Sequence, residues 1–256
     1  EKNNSAYNMT GVFTFEGKLK YEVLNSSLKT VIERHEMLRT VFKENAYGDA
    51  RQYIIPADAF SFSIEKAAID LKDNKQEKIE ALVNQQIAFT FDLAEGPLLK
   101  AMLLEETEEN HLFIFSMHHM IGDELSIGIL IKELIHYYNF YNGDIETDLP
   151  LSNIQYKDYS FWMQSLIEQN GLTDQKAYWL ERLSGEIKPL KFGADMFSEN
   201  KDTFKGSSLS FDVKKETSDR ILELSKSYDI SEFCFYLAAF KSFLYLYTHQ
   251  EDIIIG

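Results

Sequence analysis

The chain has 256 residues, of which 45% are hydrophobic and 26% charged, and its formal net charge at pH 7 is −15. This balance is typical of a folded globular protein and excludes a disordered chain. The 41 acidic side chains outnumber the 26 basic ones without a local basic patch, which argues against a nucleic-acid partner. A single cysteine, Cys234, excludes an internal disulfide framework and indicates a reducing, cytoplasmic environment.

Hydrophobic periodicity in the first half of the chain predicts strands mixed with amphipathic helices, and hence a mixed α/β fold. An acidic turn at 105–110 joins two strand patterns into an antiparallel hairpin. The second of these strands is apolar on both faces, which predicts a place in the interior of a sheet. The predicted strands are 9–16, 38–43, 52–55, 60–67, 98–104 and 112–117, and the predicted helices are 20–36 and 75–89.

The second half is predicted to be mainly helical, with a linker at 185–200. A loop at 120–124 leads to a long helix with one apolar stripe, and further helices are predicted at 154–168, 173–183, 216–228 and 232–247. Strands are predicted at 207–213 and from 251 onward. The longest apolar run, 233–247, contains Lys241 and predicts a buried core helix rather than a membrane span. We expect Cys234 to be a core thiol and Trp162 and Trp179 to be packing residues.

Two adjacent histidines, His118 and His119, stand at the end of the buried strand, and Asp123 follows in the loop. Successive strand residues point to opposite faces, so we expect only one imidazole to enter a given pocket. The same alternation, and the absence of a third ligand at suitable spacing, argue against a metal site. Two interpretations remain from these residues: a pair of structural histidines, or a catalytic group where a strand feeds a loop and a helix.

Here the sequence resembles a family. The run from Met117 to Ser126, MHHMIGDELS, is similar to the His-His-x-x-x-Asp-Gly signature of condensation domains in nonribosomal peptide synthetases. Further stretches match the family in its order. They are RHEMLRTVF at 34–42, FDLAEGPL at 91–98, YKDYSFW at 156–162, YW at 178–179 and YTHQEDIIIG at 247–256. The ordered set covers essentially the whole chain.

The resemblance implies a chloramphenicol acetyltransferase-like fold of two lobes, each a mixed sheet flanked by helices, with the active site in a tunnel between them. It assigns residues 1–170 to the N-terminal lobe and 171–256 to a linker and the first part of an incomplete C-terminal lobe. We therefore expect a fragment of a longer, monomeric protein, and one that condenses poorly on its own. The partners implied are donor and acceptor peptidyl carrier proteins, which bring substrates on phosphopantetheine arms, and a neighbouring adenylation domain. No directly bound cofactor, metal, nucleic acid or membrane is implied.

The resemblance also implies roles for individual residues. His119 is the catalytic histidine, as a general base or as a group that orients the amine. Asp123 is expected to form an ion pair with Arg39 that, with His118, shapes the site. The alternatives from local sequence are that Asp123 caps the following helix and that Arg39 is a surface strand residue.

One residue departs from the signature: Glu124 stands where the family has glycine. A glutamate turned toward His119 would favour the imidazolium and weaken a base. A glutamate turned outward would suit a helix N-terminus electrostatically, and the sequence favours this alternative. The leading interpretation is thus amide bond formation between carrier-bound acyl groups. The alternatives are an epimerisation domain, a related acyltransferase, or a non-catalytic recruitment module of the same fold.

Overall fold

The computed structural model describes residues 5–67, 74–150, 152–186, 188–190, 209 and 211–255. The chain divides into two compact units, Glu1–Gly171 and Leu172–Gly256. No helix in these described ranges is both long and apolar enough to cross a membrane.

A four-stranded mixed sheet forms the centre of the first unit. Its order is β1-β6-β5-β4; β1 and β5 pair with β6 in antiparallel fashion, and β4 pairs with β5 in parallel. The interior position predicted for the strand that ends in the two histidines is confirmed, as is its hairpin with the preceding strand. The strands are β1 (Asn8–Glu16), β4 (Glu65–Lys66), β5 (Leu99–Thr107) and β6 (Asn110–His118).

A separate hairpin, β2 (Thr40–Glu44) with β3 (Ala50–Ile54), follows a 3-10 turn over Glu36–Arg39. The predicted strand 38–43 therefore begins two residues late, because the 3-10 turn holds Leu38 and Arg39. The predicted strand 60–67 is reduced to β4, since its preceding residues lie in extended chain without strand pairing. Apolar alternation in this stretch does not indicate a long strand.

Helices cover both faces of the sheet because β6 is apolar on both. Phe113, Phe115 and Met117 pack against α1 and α3, whereas Ile114 packs against α2 on the opposite face. Gly143, with a φ of 86°, ends α3 in the left-handed conformation. The helices of this unit are α1 (Tyr21–Arg34), α2 (Lys75–Ile87), α3 (Glu124–Asn142) and α4 (Tyr156–Glu168).

The second unit holds three described helices, α5 (Thr173–Arg182), α6 (Lys215–Ser227) and α7 (Glu232–Thr248). The predicted strands are not formed at 211–213 or 251–255, and most of the predicted linker lies outside the described residues. Leu244 is the buried residue of α7, so the prediction of a buried core helix is wrong within this unit. Cys234 is exposed on the same helix and is not a core thiol.

The two tryptophans, predicted to be packing residues, are also largely exposed. Trp162 in α4 of the first unit is 54% exposed, and Trp179 in α5 of the second unit is 57% exposed. Neither α4 nor α5 buries a residue. Their amphipathic patterns therefore correctly predict helices, but not how much of each helix is covered.

Candidate active site

His119 stands where the central strand gives way to a helix. Strand β6 ends at His118, a 3-10 turn spans His119–Ile121, and α3 begins at Glu124. Met117 and Ile121, on either side of the two histidines, are buried in the core below α1 and α3. The turn is therefore anchored at both ends, while the His119 side chain itself is exposed.

His118 is buried and held in one orientation. Its side chain is 5% exposed, and its Nδ1 accepts a hydrogen bond of 3.2 Å from the backbone N–H of Met120. The imidazole lies near two aromatic rings, with centroids 6.1 Å from that of Tyr7 and 6.3 Å from that of Phe91. Burial, and then the neighbouring His119, lower the pKa of His118 below its ordinary value of 6.5. His118 is thus neutral at pH 7 and carries its proton on Nε2.

Asp123 is the N-cap of α3. Its Oδ1 accepts hydrogen bonds from the backbone N–H of Ser126, at 2.8 Å, and from the Ser126 hydroxyl, at 2.6 Å. The backbone N–H of Asp123 donates in return to Ser126 Oγ at 3.1 Å, which completes a capping box. The side-chain hydrogen bond from Ser126, followed by the backbone one, lowers the pKa of Asp123. The carboxylate is therefore committed to the start of the helix.

Arg39 does not form the expected ion pair with Asp123. In the part of the chain that the structure describes, no salt bridge joins these two residues. The buried guanidinium instead donates to backbone carbonyls. Nε donates to Ile32 O and Nη2 to Glu33 O, each at 3.2 Å, and Nη1 donates to Ile55 O.

The prediction of the pair is wrong because each group has a nearer partner. Ile32 and Glu33 lie in the last turn of α1, where the free carbonyls and the helix dipole favour a cation. Arg39 thereby fastens the end of α1 to the segment after β3. Burial of Arg39 also excludes the alternative of a surface residue.

Glu124 is the first residue of α3 and is exposed. It is absent from the residues that line the two clefts described below. A negative charge in the first turn suits the helix dipole, which is the outward alternative considered from the sequence. Its effect on activity stays a prediction.

Two clefts of the first unit meet at His119. The first has a volume of about 450 Å³ and the second about 520 Å³. His119 and Met120 line both, whereas His118 lines the second alone. The first cleft also contains His35, Met37, Leu38, Ile121, Gly122, Asp123, Ser126, Ile129, Leu130, Ser152, Ile154, Gln155 and Tyr156; the second also contains Tyr7, Thr90, Phe91 and Leu93.

The expectation that only one imidazole enters a given pocket holds for the first cleft and is wrong for the second. The reason is that β6 ends at His118, so that His119 belongs to the 3-10 turn and no longer follows strand alternation. Both volumes are in the range of pockets that hold small organic ligands.

A family model described as "Condensation domain" matches residues 1–256. The chain belongs to the condensation domain family. Among curated relatives, the chain is 34% identical over 256 residues to one of the plipastatin synthase polypeptides of Bacillus subtilis (strain 168), covering 100% of this chain and 10% of the relative. It is also 31% identical over 256 residues to gramicidin S synthase 2 of Brevibacillus brevis, covering 100% of this chain and 5% of the relative. The chain therefore spans a small part of these relatives.

Solved structures share the fold of this condensation domain. SgcC5 from Streptomyces globisporus superposes with a TM-score of 0.75 at 23% identity, covering 97% of this chain and 55% of that one. The first condensation domain of the CDA synthetase superposes with a TM-score of 0.78 at 13% identity, covering 97% of this chain and 59% of that one. The mixed α/β fold class expected from the motifs is thus confirmed.

Sequence reasoning missed a polar network on the wall of the first cleft. His35 Nε2 lies 2.6 Å from Glu133 Oε2, and Arg34 Nε lies 3.2 Å from Glu133 Oε1. Gln155 bridges the same region, since its Nε2 donates to Arg34 O at 3.0 Å and its Oε1 accepts from Glu36 N at 3.1 Å. The motif beginning Arg34-His35-Glu36 marked three of these residues, but nothing in the sequence pointed to Glu133 or Gln155 as their partners.

Gly122 is a second residue that the sequence did not single out. A Cβ at this position would lie 2.4 Å from Met117 Cε and 3.2 Å from Ser126 Cβ. A side chain at this position would therefore crowd the buried end of β6 and the capping box of α3.

Proposed function

We propose that this condensation domain forms an amide bond between a donor acyl or peptidyl thioester and the amine of an acceptor aminoacyl thioester. Both substrates would arrive on phosphopantetheine arms of carrier proteins, the acceptor having been loaded by an adenylation domain. The observation that carries the proposal is that His119 lines two clefts at once. A reaction between two tethered substrates requires one reactive group that is accessible from two directions.

The chemical demand on His119 is modest. An α-amine has an ordinary pKa of ~7.7–8.0, so about a tenth of it is neutral at pH 7, and waiting for the free amine costs only about 1 kcal/mol. The proton that matters is lost as the tetrahedral intermediate forms, and a general base contributes about 10²–10⁴-fold to such a step. His119 would remove this proton or hold the amine by a hydrogen bond.

The neighbouring residues would also hold His119 and its turn in place. Asp123 holds the start of α3, and His118 holds the turn through its hydrogen bond with Met120 N. Arg39 would contribute to the site only through the end of α1 and its neighbouring segment. Glu124, exposed at the first position of α3, is compatible with an active His119.

The test uses two carrier proteins loaded with donor and acceptor aminoacyl groups, in a panel of amino acids, and incubated with the protein in D₂O. We expect an amide product by mass spectrometry and its loss in His119→Ala. His111→Asn is the matched control, since His111 lies in β6, the strand that leads to His119, and lines neither cleft.

The same mixture separates the alternatives. Deuterium at the α-carbon of an otherwise unchanged thioester, above the level without protein, would indicate epimerisation. If no amino acid of the panel gives either an amide product or deuterium incorporation, the result contradicts catalysis and indicates a recruitment module. Undiminished amide formation by His119→Ala would refute the role of this residue.

A further inference from the structure

The His118 ring forms part of the second cleft in a way that leaves one hydrogen-bonding group unused. Tyr7 and Phe91, the two aromatic neighbours of the ring, line the same cleft. Nδ1 is occupied by the N–H of Met120, so the proton of the neutral ring is on Nε2. Among the described residues, no hydrogen bond to Nε2 is formed.

One candidate for an internal partner is Asn8, which lies opposite His118 in the pairing of β1 with β6. The Asn8 side-chain amide donates to the carbonyls of Ile87 and Phe89, at 3.1 and 2.5 Å, and its Oδ1 is buried without a hydrogen bond. No hydrogen bond joins Asn8 to His118. The Nε2–H of His118 therefore has no hydrogen-bond partner among the described residues, in a residue that lines the second cleft beside His119.

The proposed reaction needs a donor of this kind. When the amine nitrogen attacks the thioester carbon, a C–N bond forms and the C=O π electrons move onto oxygen. The C=O then re-forms as the C–S bond breaks, and the proton lost by the amine ends on the departing thiolate. The negative oxygen exists only between these two steps, and donors that are already in place stabilise it.

Resting on the proposed function, we propose that His118 is a second catalytic residue, whose Nε2–H donates a hydrogen bond to the carbonyl oxygen of the thioester in the second cleft. His119 would then remove the amine proton or hold the amine by a hydrogen bond, while His118 stabilises the negative oxygen of the thioester carbonyl. The two adjacent histidines divide the work because one ends the strand in a single orientation and the other begins the turn.

The electrostatics of the pair agree with this division. Burial and the nearby His119 both lower the pKa of His118, which keeps its ring neutral and its tautomer defined at pH 7. A neutral imidazole with Nδ1 occupied does not compete with His119 for the amine proton. It remains a donor throughout the reaction.

Two substitutions separate the donor from the structural contact. In His118→Asn, the side-chain amide oxygen can take the place of Nδ1 and keep the hydrogen bond from Met120 N, but the group at Nε2 is lost. In His118→Gln, the amide nitrogen can take the place of Nε2, but the contact with Met120 N is lost. His111→Asn controls for replacing a buried histidine in the same strand.

The probe is S-acetylpantetheine with a ¹³C=O label, and binding is followed by infrared difference spectroscopy without an acceptor amine. We expect the carbonyl stretch to move to lower frequency in the wild type and in His111→Asn, and this shift to be lost in His118→Asn. In the amide assay, we expect kcat to fall about 10²-fold in His118→Asn and less in His118→Gln.

The outcomes are distinct. A bound probe whose carbonyl shift survives in His118→Asn overturns the inference and leaves the proposed function standing. An equal fall of kcat in both variants also overturns it, because His118→Gln keeps a donor in place of Nε2 and should then retain more activity than His118→Asn. A probe that does not bind to the wild type overturns the inference and counts against a thioester site in this cleft.

Discussion

Gly122 offers a direct test of how tightly the turn that carries His119 is built. In Gly122→Ala the new methyl group would lie 2.4 Å from Met117 Cε, 3.2 Å from Ser126 Cβ and 3.4 Å from Ser126 Oγ. Met117 has 0% exposure, so its methyl group can move only within the packed core. The backbone of Gly122, with φ 175° and ψ 179°, is extended and tolerates a side chain. Any penalty must therefore come from the contacts.

Forcing a methyl group into a packed core costs about 1–3 kcal/mol. For a unit of this size, about 2–4 °C of Tm is lost per kcal/mol, so we expect a fall of roughly 2–12 °C. Gly128→Ala is the matched control. Gly128 lies within α3, a Cβ there meets nothing within 4 Å, and the better helix propensity of alanine should stabilise the protein by about 1 kcal/mol.

The assay is native-state hydrogen exchange of the buried β6 amides, which reports the first unit alone. A Gly122→Ala variant as stable as the wild type would refute the steric reasoning. Leucine lacks Cε, so Met117→Leu should relieve the contact. The double variant should then lose less stability than the two single variants combined, by at least about 0.5 kcal/mol. Strictly additive losses would show that Met117 is not the obstacle.

Three further outcomes follow from the contacts around the site. Asp123→Ala should lower stability by about 1 kcal/mol through loss of the N-cap. In a double-mutant cycle with Arg39→Met the two losses should add within about 0.5 kcal/mol, since no ion pair joins the residues; a larger coupling would restore the pair. Because the pKa of His118 is lowered in the folded state, the unfolded state takes up its proton first. Stability should therefore fall as the pH drops below about 6.5, the ordinary value, toward the lowered pKa; urea midpoints at pH 7.5 and 5.5 measure this, and an unchanged difference in His118→Asn would contradict it. Gln155→Ala removes hydrogen bonds to the backbone of Arg34, the last residue of α1, and of Glu36, and should cost about 1–3 kcal/mol. If the first backbone amides of α4 exchange hydrogen at the same rate in this variant as in the wild type, the prediction is wrong.

The sequence predicted those parts of the fold in which hydrophobic spacing has one explanation. Strand β6, apolar on both faces, could only be an interior strand, and the stripe in α3 required a long helix over the sheet. It failed where the same pattern serves several structures. The residues before β4 alternate as a strand would, yet they form extended chain, because pairing depends on a neighbour that the local sequence does not specify.

The sequence predicted which residues form the site but not which contacts they make. The motifs marked His119, His118, Asp123 and Arg39, and the structure places the first three at one strand end. The family resemblance, and the need to compensate a buried carboxylate, suggested that Arg39 and Asp123 would pair. Helix ends offered both residues hydrogen bonds closer along the chain, and these local partners prevailed. The spacing of residues in the sequence indicates only weakly where a helix begins or ends.

The pairing of β1 with β6 makes the order of synthesis matter for the site. Thr10 and Ser116, which share a hydrogen bond across these strands, are separated by 106 positions in the chain. At ~5–20 residues per second, the ribosome adds this length in roughly 5–20 s, during which β1 cannot pair with β6. The β5–β6 hairpin can close as soon as it emerges. Tyr7, just before β1, comes beside His118 only when β1 pairs with β6, so one side of the second cleft depends on a contact between distant parts of the chain.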